Sequence, residues 1–421
     1  MKFTSSSPTR RFGVLAAAAA MSLSLVAVAP AAAAIPTGPS DNTFYAPAQG
    51  KYWSGKPGDV VWKRAAQPAT TLSNASQSIT VVYKSKSLAN KMIPVSGTVW
   101  LPKGTAPAGG WPIISWGHGT TGSADICAPS RITDTVSGSY TSYVFPSINT
   151  WLGKGYAVAM SDYEGLGTPG QHPWLIGPSE GRGMIDIVKA ARKLSPSVSK
   201  NWVSTGHSQG GHASLFAASL AKSWGTGLNL KGVMPYAPAN NMKATVLFAA
   251  GAIPGPSSLS GLGALLVRSL KDANPTIDLA TVMNTGPYSK LPEIEKRCLG
   301  ELGSTDYFGQ YSPQQLLKGW NTSAKDWRDN PQWGRLVAAL DGSKINPTVT
   351  VPTGIKIQMF QGGADSTVPA FTTNALLTQL RGKNTGSGQV NLTGYPSADH
   401  GGVVAAALED ANAFLLSSFG R

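Results

Sequence analysis

The sequence predicts an α/β protein, a mostly parallel sheet of eight strands with a helical cap domain inserted late in the chain. From about residue 78, short β-rich runs alternate with longer helical runs, which is typical of parallel sheets. The alternation stops between residues 237 and 354, a stretch too long for one crossover and rich in helical spacing. We therefore expect a cap at 240–350 between two parts of one sheet domain, at 35–239 and 351–421.

The eight expected strands differ in how they are connected. The first two, at 78–84 and 95–101, have no helix between them and are expected to pair as an antiparallel hairpin. The later strands are short and apolar, as buried parallel strands require, and lie at 112–116, 156–161, 202–207, 230–236, 355–361 and 390–395. The arm at 35–68 is expected to wrap the domain without regular structure.

The expected cap contains an apolar stretch at 249–266 and a second stretch with three tryptophans, Trp320, Trp327 and Trp333. Aromatic side chains there either line a substrate pocket or pack the cap's own small core. The sequence leaves both interpretations open.

The first 34 residues have the features of a secretory signal peptide. Lys2, Arg10 and Arg11 give a positive start, an apolar run follows at 13–28, and small residues at 32–34 offer a cleavage site. The apolar run is shorter than the roughly 20 residues that span a bilayer. We expect an extracellular mature chain, exported by the general secretory (Sec) route or, given the paired arginines, by the twin-arginine route.

The net charge is strongly positive without predicting a nucleic-acid partner. The formal charge is +14, and three of the positive charges lie in the first 34 residues, which leaves +11 on the mature chain. Lysines and arginines are scattered, with no run longer than two, so neither nucleic acid nor a stable protein partner is expected. Adsorption to a lipid interface is compatible with this surface.

Cysteine and histidine usage argues against a metal site. The chain has two cysteines, Cys127 and Cys298, which in an exported protein favour one disulfide, with free buried thiols as the alternative. There is no Cys-x-x-Cys or His-x-x-x-His, and no Gly-rich segment ends as a phosphate-binding loop does. We expect neither metal nor cofactor.

The pattern Gly-x-Ser-x-Gly occurs twice, around Ser208 and around Ser179. It is typical of the nucleophile elbow of the α/β-hydrolase fold, in which a strained strand-to-helix turn exposes the serine hydroxyl. Ser208 follows an apolar strand and precedes a run of small helix-forming residues, as the elbow requires. Ser179 follows a Pro-containing loop and is expected to cap a helix instead.

A serine nucleophile needs a base and an orienting carboxylate, and this fold uses the chain order Ser, Asp, His. Of five histidines, His400 is the one that lies beyond the elbow on a separate loop. Asp365 follows the strand at 355–361, and it is favoured over Asp399, the sequence neighbour of His400. The oxyanion would be stabilised by the backbone N–H of Gln209 and by a second donor in the Gly-rich loop at 117–122.

That loop, Gly-His-Gly-Thr-Thr-Gly, leaves the second donor open between Thr120 and Thr121. His118 is expected to shape the loop rather than to act as a base.

Taken together, these segments resemble the secretory lipase family of the α/β-hydrolase superfamily, which includes the yeast lipases A and many actinobacterial members. The similarity runs from about residue 44 to 419, and its marks lie at 44–47, 127–130, 161–165, 206–210, 365–369 and 399–400. The resemblance implies a triad of Ser208, Asp365 and His400, an oxyanion hole at Gln209 and Thr121, and a disulfide from Cys127 to Cys298. The loop at 117–122 departs from the yeast pattern, which bears an aspartate there.

The sequence therefore predicts a secreted serine carboxylic ester hydrolase that acts on an acyl ester or lipid, either a lipase or an esterase. An acyltransferase with the same triad and an alcohol acceptor is one alternative. A non-catalytic surface-binding relative is the other, and a complete triad in the required order argues against it.

Overall fold

The computed structural model describes residues 1–9, 34–133, 139–252, 255, 257–318, 331–385 and 389–421. Residues Ile35–Arg421 form one compact unit. Most of the expected signal peptide, at 10–33, lies outside the described residues. No described helix is long and apolar enough to cross a membrane.

The core is one mixed sheet of nine strands in the order β1-β2-β3-β5-β4-β6-β7-β8-β9. The strands are β1 Val60–Ala65, β2 Ala75–Lys86, β3 Met92–Pro102, β4 Trp111–Gly117, β5 Ala157–Ser161, β6 Val198–His207, β7 Asn229–Tyr236, β8 Ile357–Gly362 and β9 Val390–Tyr395. The pairs from β1 to β5 are antiparallel, and every pair from β5 through β9 is parallel.

The prediction of eight strands was wrong by one, because the arm expected to be irregular contributes β1. This edge strand pairs with β2 alone, and only Val61 in it is fully buried, so it lacks the continuous apolar run of the central strands. Trp62 in it donates its indole N–H to the carbonyl of Phe44 at 2.9 Å, which fastens the rest of the arm to the sheet.

Helices cover both faces of the sheet. The described helices are α1 Ser139–Ser142, α2 Phe145–Gly153, α3 Gly177–Leu194, α4 Gln209–Leu220, α5 Met242–Ala252, α6 Leu259–Ala273, α7 Leu279–Val282, α8 Thr285–Ser289, α9 Leu299–Leu302, α10 Pro331–Leu340, α11 Ala370–Lys383, α12 Val403–Ala406 and α13 Leu408–Phe419. Neighbouring residues of β4 pack on opposite faces, Ile113 in the cluster with α3 and α4, and Ile114 in the cluster with α2 and α13. Because both faces are buried, the central strands are mostly apolar.

Between β7 and β8 the chain forms the helical insertion, which contains α5 to α10 and short 3₁₀ turns. Its apolar side chains form one cluster, to which the sheet domain contributes Trp174 and Leu175. Trp333 is buried in this cluster, while Trp320 and Trp327 lie outside the described residues. A disulfide joins Cys127, in the loop after β4, to Cys298 at the start of α9, with 5.4 Å between the Cα atoms.

Candidate active site

Ser208 occupies a strained turn between β6 and α4. Its backbone angles are φ 57° and ψ −117°, a conformation that non-glycine residues rarely adopt. The turn is fixed by hydrogen bonds from Ser208 N–H to the carbonyl of Tyr236 at 2.9 Å, and from the N–H groups of His212 and Ala239 to the Ser208 carbonyl. The surrounding backbone therefore holds the serine in this conformation.

The two glycines that flank this turn are required by close packing rather than by their own backbone angles. A Cβ on Gly210 would lie 1.8 Å from the carbonyl oxygen of Gly117, and a Cβ on Gly206 would lie 2.5 Å from the same atom. Any side chain at either position would push the elbow away from β4 and the loop that follows it.

Asp365 and His400 are brought together by the loops after β8 and β9. The His400 Nδ1 lies 2.7 Å from the Asp365 Oδ2. The other carboxylate oxygen accepts the backbone N–H groups of Thr367 and Val368, and Gln361 donates its amide to Oδ2. With its side chain buried and both oxygens bonded, the carboxylate is fixed and can orient the imidazole through Nδ1–H.

His207, inside the elbow motif, supports His400 from the other side. Its Nε2 donates to the backbone carbonyl of His400 at 2.7 Å, so its Nδ1 accepts from the Tyr143 hydroxyl at 2.5 Å. Burial and the neighbouring His400 hold the pKa of His207 well below its ordinary value, in agreement with this neutral tautomer. Among the described residues, none hydrogen-bonds to the buried Nε2 of His400, which leaves that atom able to accept a proton.

An apolar cavity of about 110 Å³ reaches Ser208 and Gln209. The helical insertion supplies most of its lining, including Met242, Val246, Leu262, Leu266, Leu270 and Leu316. A space of this kind fits a hydrocarbon chain better than a polar group.

His400 lines a second, more polar groove beside this cavity, and Thr120 and Thr367 line both spaces. Thr121 lines the groove but not the apolar cavity, and its backbone carbonyl accepts the N–H of Leu299 in the insertion. Thr121 as an oxyanion donor stays a prediction, and the lining of the cavity favours Thr120.

A buried polar network behind Gln209 was not predicted from the sequence. The side chain of Gln209 contacts Trp174, His172 and Glu180, and Glu180 in turn contacts His212. A signal was present, because Glu180 falls at the helical spacing of the buried face that carries Met184, Ile187 and Val188.

Other predicted residues are placed as follows. Ser179 does not cap a helix, because α3 begins at Gly177 and the Ser179 hydroxyl donates to the Glu164 carboxylate, so that prediction was wrong. Asp399 accepts the backbone N–H of Gly402 at 2.7 Å at the start of the turn into α12. His118 is buried and bonds to the Gly119 carbonyl through Nδ1, and burial lowers its pKa to about 4.

Across the described residues, no group of three or more histidine, cysteine, aspartate or glutamate side chains could hold a metal ion.

The nine-stranded sheet, the elbow after β6 and the acid and histidine on the loops after β8 and β9 define a member of the α/β-hydrolase superfamily. More narrowly, the chain belongs to the secretory lipase family, whose sequence model matches residues 130–414.

Two curated relatives fit this assignment. Lipase A of Moesziomyces aphidis is 30% identical over 281 residues, which cover 64% of this chain and 58% of that protein. A probable inactive lipase of Mycobacterium tuberculosis (strain CDC 1551 / Oshkosh) is 27% identical over 249 residues, covering 56% of this chain and 53% of that one. The chain thus spans a little over half the length of these relatives.

Solved structures show the same fold. The closed state of Candida antarctica lipase A superimposes with a TM-score of 0.69 at 22% identity, covering 89% of this chain and 84% of that one. The ligand-bound rice cell wall degrading esterase LipA from Xanthomonas oryzae gives 0.66 at 17% identity, covering 86% and 98%. At these identities the likeness extends to the architecture alone.

Proposed function

We propose that the protein is an exported serine carboxylic ester hydrolase that forms an acyl-enzyme on Ser208. The observation that carries the proposal is the contact of 2.7 Å between the His400 Nδ1 and the buried Asp365 carboxylate, together with the strained turn that holds Ser208. The export part rests on the secretory family and on the signal-like first 34 residues.

In the proposed reaction, His400 Nε2 takes the proton of the Ser208 hydroxyl as its oxygen attacks the ester carbonyl. Asp365 accepts from Nδ1–H and stabilises the imidazolium that forms. The backbone N–H of Gln209, the first residue of α4, has no partner within its own helix and is available to the oxyanion. His400 then protonates the leaving alcohol. In the second half, water gives a proton to His400 as it attacks the acyl carbonyl, and His400 returns that proton to the Ser208 oxygen as the acyl bond to Ser208 breaks and the carboxylic acid leaves.

The apolar cavity supports an ester with a hydrocarbon acyl chain as the substrate, whether a lipid or a simpler ester. Adsorption to a lipid surface remains a prediction. The alternative of a non-catalytic relative gains weight from the probable inactive lipase among the similar proteins, so activity itself must be measured.

The test is hydrolysis of p-nitrophenyl esters of graded chain length by the mature chain, with Ser208→Ala as the decisive variant. We expect Ser208→Ala to lower kcat by roughly 10⁶-fold. Ser179→Ala is the matched control, since it removes the serine of the second Gly-x-Ser-x-Gly match. Its kcat should stay within about fivefold of the unmutated protein, because the Ser179 hydroxyl donates to the Glu164 carboxylate and not to a residue of the elbow.

A loss of only tenfold in Ser208→Ala would refute the assignment, and no release from any ester by the unmutated protein would favour the non-catalytic alternative. Product release that rises with an added alcohol acceptor would favour acyl transfer over hydrolysis.

A further inference from the structure

The side chain of Gln209 is buried, and every one of its polar positions is bonded. Its amide oxygen accepts from the Trp174 indole N–H at 3.0 Å. Its amide nitrogen lies 2.8 Å from the Glu180 Oε1 and 2.9 Å from the His172 Nε2. The amide is therefore held in one orientation, although the proposed reaction uses only the backbone N–H of this residue.

His172 serves this arrangement as an acceptor. Its Nδ1 donates to the Glu164 carbonyl at 2.8 Å, so Nε2 carries no proton and can accept from Gln209. Burial lowers the pKa of His172, which keeps the ring neutral as this bond requires.

Glu180 and His212 form a fully buried pair, each with a side chain 0% exposed. The His212 Nε2 must donate to the carbonyl of Ile345 at 2.7 Å, while its Nδ1 lies 2.9 Å from the Glu180 Oε2. The other oxygen, Oε1, accepts from Gln209 and from the backbone N–H of Leu175 at 2.9 Å. The hydrogen bond between Oε2 and Nδ1 needs one proton, so the pair has no net charge whichever of the two atoms holds it, and Oε1 is left as the acceptor of two N–H groups.

The same network reaches the Gly-rich loop at 117–122, which is expected to supply the second oxyanion donor. The Trp174 indole N–H is shared between the Gln209 Oε1 and the Thr120 hydroxyl, at 3.0 Å and 2.9 Å. Leu175, the residue after Trp174, has a left-handed φ of 56° and lines the apolar cavity. Its backbone N–H donates to the Glu180 Oε1, so Glu180 also holds this turn.

We propose that Glu180 is a positioning residue which, through Gln209 and Trp174, holds Gln209 and Thr120 together as the two halves of the oxyanion site. This inference rests on the proposed function. An unpaired carboxylate so near a developing oxyanion would repel it, and the hydrogen bond to His212 pairs Glu180. The pair thus gives a fixed acceptor without a net charge.

The test compares five variants in the ester assay, with kcat and KM separated and folding checked by thermal denaturation. Glu180→Met and Gln209→Met should each lower kcat tenfold to a hundredfold while KM changes less than about threefold, because the misplaced donor matters mainly in the transition state. In the double variant kcat should be less than about threefold below that of the weaker single variant, since both substitutions remove the same contact between Glu180 and Gln209.

Glu180→Gln is the conservative variant. A glutamine oxygen can still accept from Gln209 and Leu175, and its NH₂ can donate to a neutral His212, so kcat should recover most of the loss seen in Glu180→Met. Asp186→Asn is the matched control, a buried carboxylate on the same helix that contacts Ser85, Lys189 and Trp224 instead, and its kcat should stay within about threefold.

A folded Glu180→Met with kcat within threefold of the unmutated protein overturns the inference, as does an equal loss in Asp186→Asn or full additivity in the double variant. If Glu180→Met does not accumulate as folded protein, an unchanged kcat in Gln209→Met overturns it. Activity that persists in Ser208→Ala is a different result, since it refutes the proposed function itself.

Discussion

The sheet around the elbow and the helical insertion above it are built in opposite ways. Around the elbow, all seven residues of β4 are buried and glycines from two elements meet backbone to backbone. The insertion consists of short helices and turns, leaves Leu247 and Phe248 partly exposed, and supplies most of the lining of the apolar cavity.

This difference separates two tasks. Backbone contacts between β4, β6 and α4 set where Ser208 lies, so they tolerate almost no change of side chain. Apolar side chains of similar volume can replace one another in the insertion at modest cost, so the insertion can vary in what it accommodates. We expect mutations in the first region to affect the chemical step, and mutations in the second to affect the choice of substrate.

The largest effect should come from the carboxylate that orients His400. Asp365→Asn keeps the shape of the side chain but presents an N–H to the Nδ1 of His400 and selects the wrong tautomer, so kcat should fall by roughly 10⁴-fold. Steady-state kinetics on a p-nitrophenyl ester measures the loss. Asp399→Asn is the control, expected within about threefold, and an equal loss there would transfer the acid role to Asp399.

Next in size is a methyl group placed in the glycine contact. Gly210→Ala puts a Cβ 1.8 Å from the Gly117 carbonyl oxygen, so we expect at least a hundredfold loss of kcat and a destabilisation of about 3 kcal/mol or more. Gly334→Ala in α10 of the insertion meets nothing within 4 Å and should stabilise by about 0.5–1 kcal/mol. Thermal and chemical denaturation compare the two, and similar effects at both sites would break the contrast between the regions.

The smallest expected effect lies in the cavity wall. Val246→Trp in α5 should reduce kcat/KM for long-chain esters about tenfold relative to short-chain ones, because the larger ring occupies the apolar cavity. Leu247→Trp changes the next residue, which is 48% exposed and does not line the cavity, and should leave the ratio unchanged. Equal ratios for both variants would mean that the acyl chain binds elsewhere.

How much the sequence could predict differs between the same two regions. Ser208, Asp365 and His400 stood out because each follows a recognisable apolar strand in the required order, and the structure brings Asp365 and His400 into contact. Strand β1 was not predicted, because an edge strand has only one partner and little buried surface.

The partners in the network behind Gln209 could not be predicted, because they lie 29 to 37 positions apart, although the helical spacing of Glu180 indicated that its side chain is buried. The choice between Thr120 and Thr121 could not be predicted, since these adjacent residues of one loop differ only in which of the two spaces they line.

The central claim is that Ser208 is the nucleophile, and covalent labelling tests it most directly. The mature protein would be treated with a fluorophosphonate, which reacts with activated serines, and the labelled peptide identified by mass spectrometry alongside Ser208→Ala and Ser179→Ala. We predict one modified residue, Ser208, with labelling lost in Ser208→Ala and retained in Ser179→Ala. Labelling of a different serine, or of none while ester hydrolysis proceeds, would contradict the account.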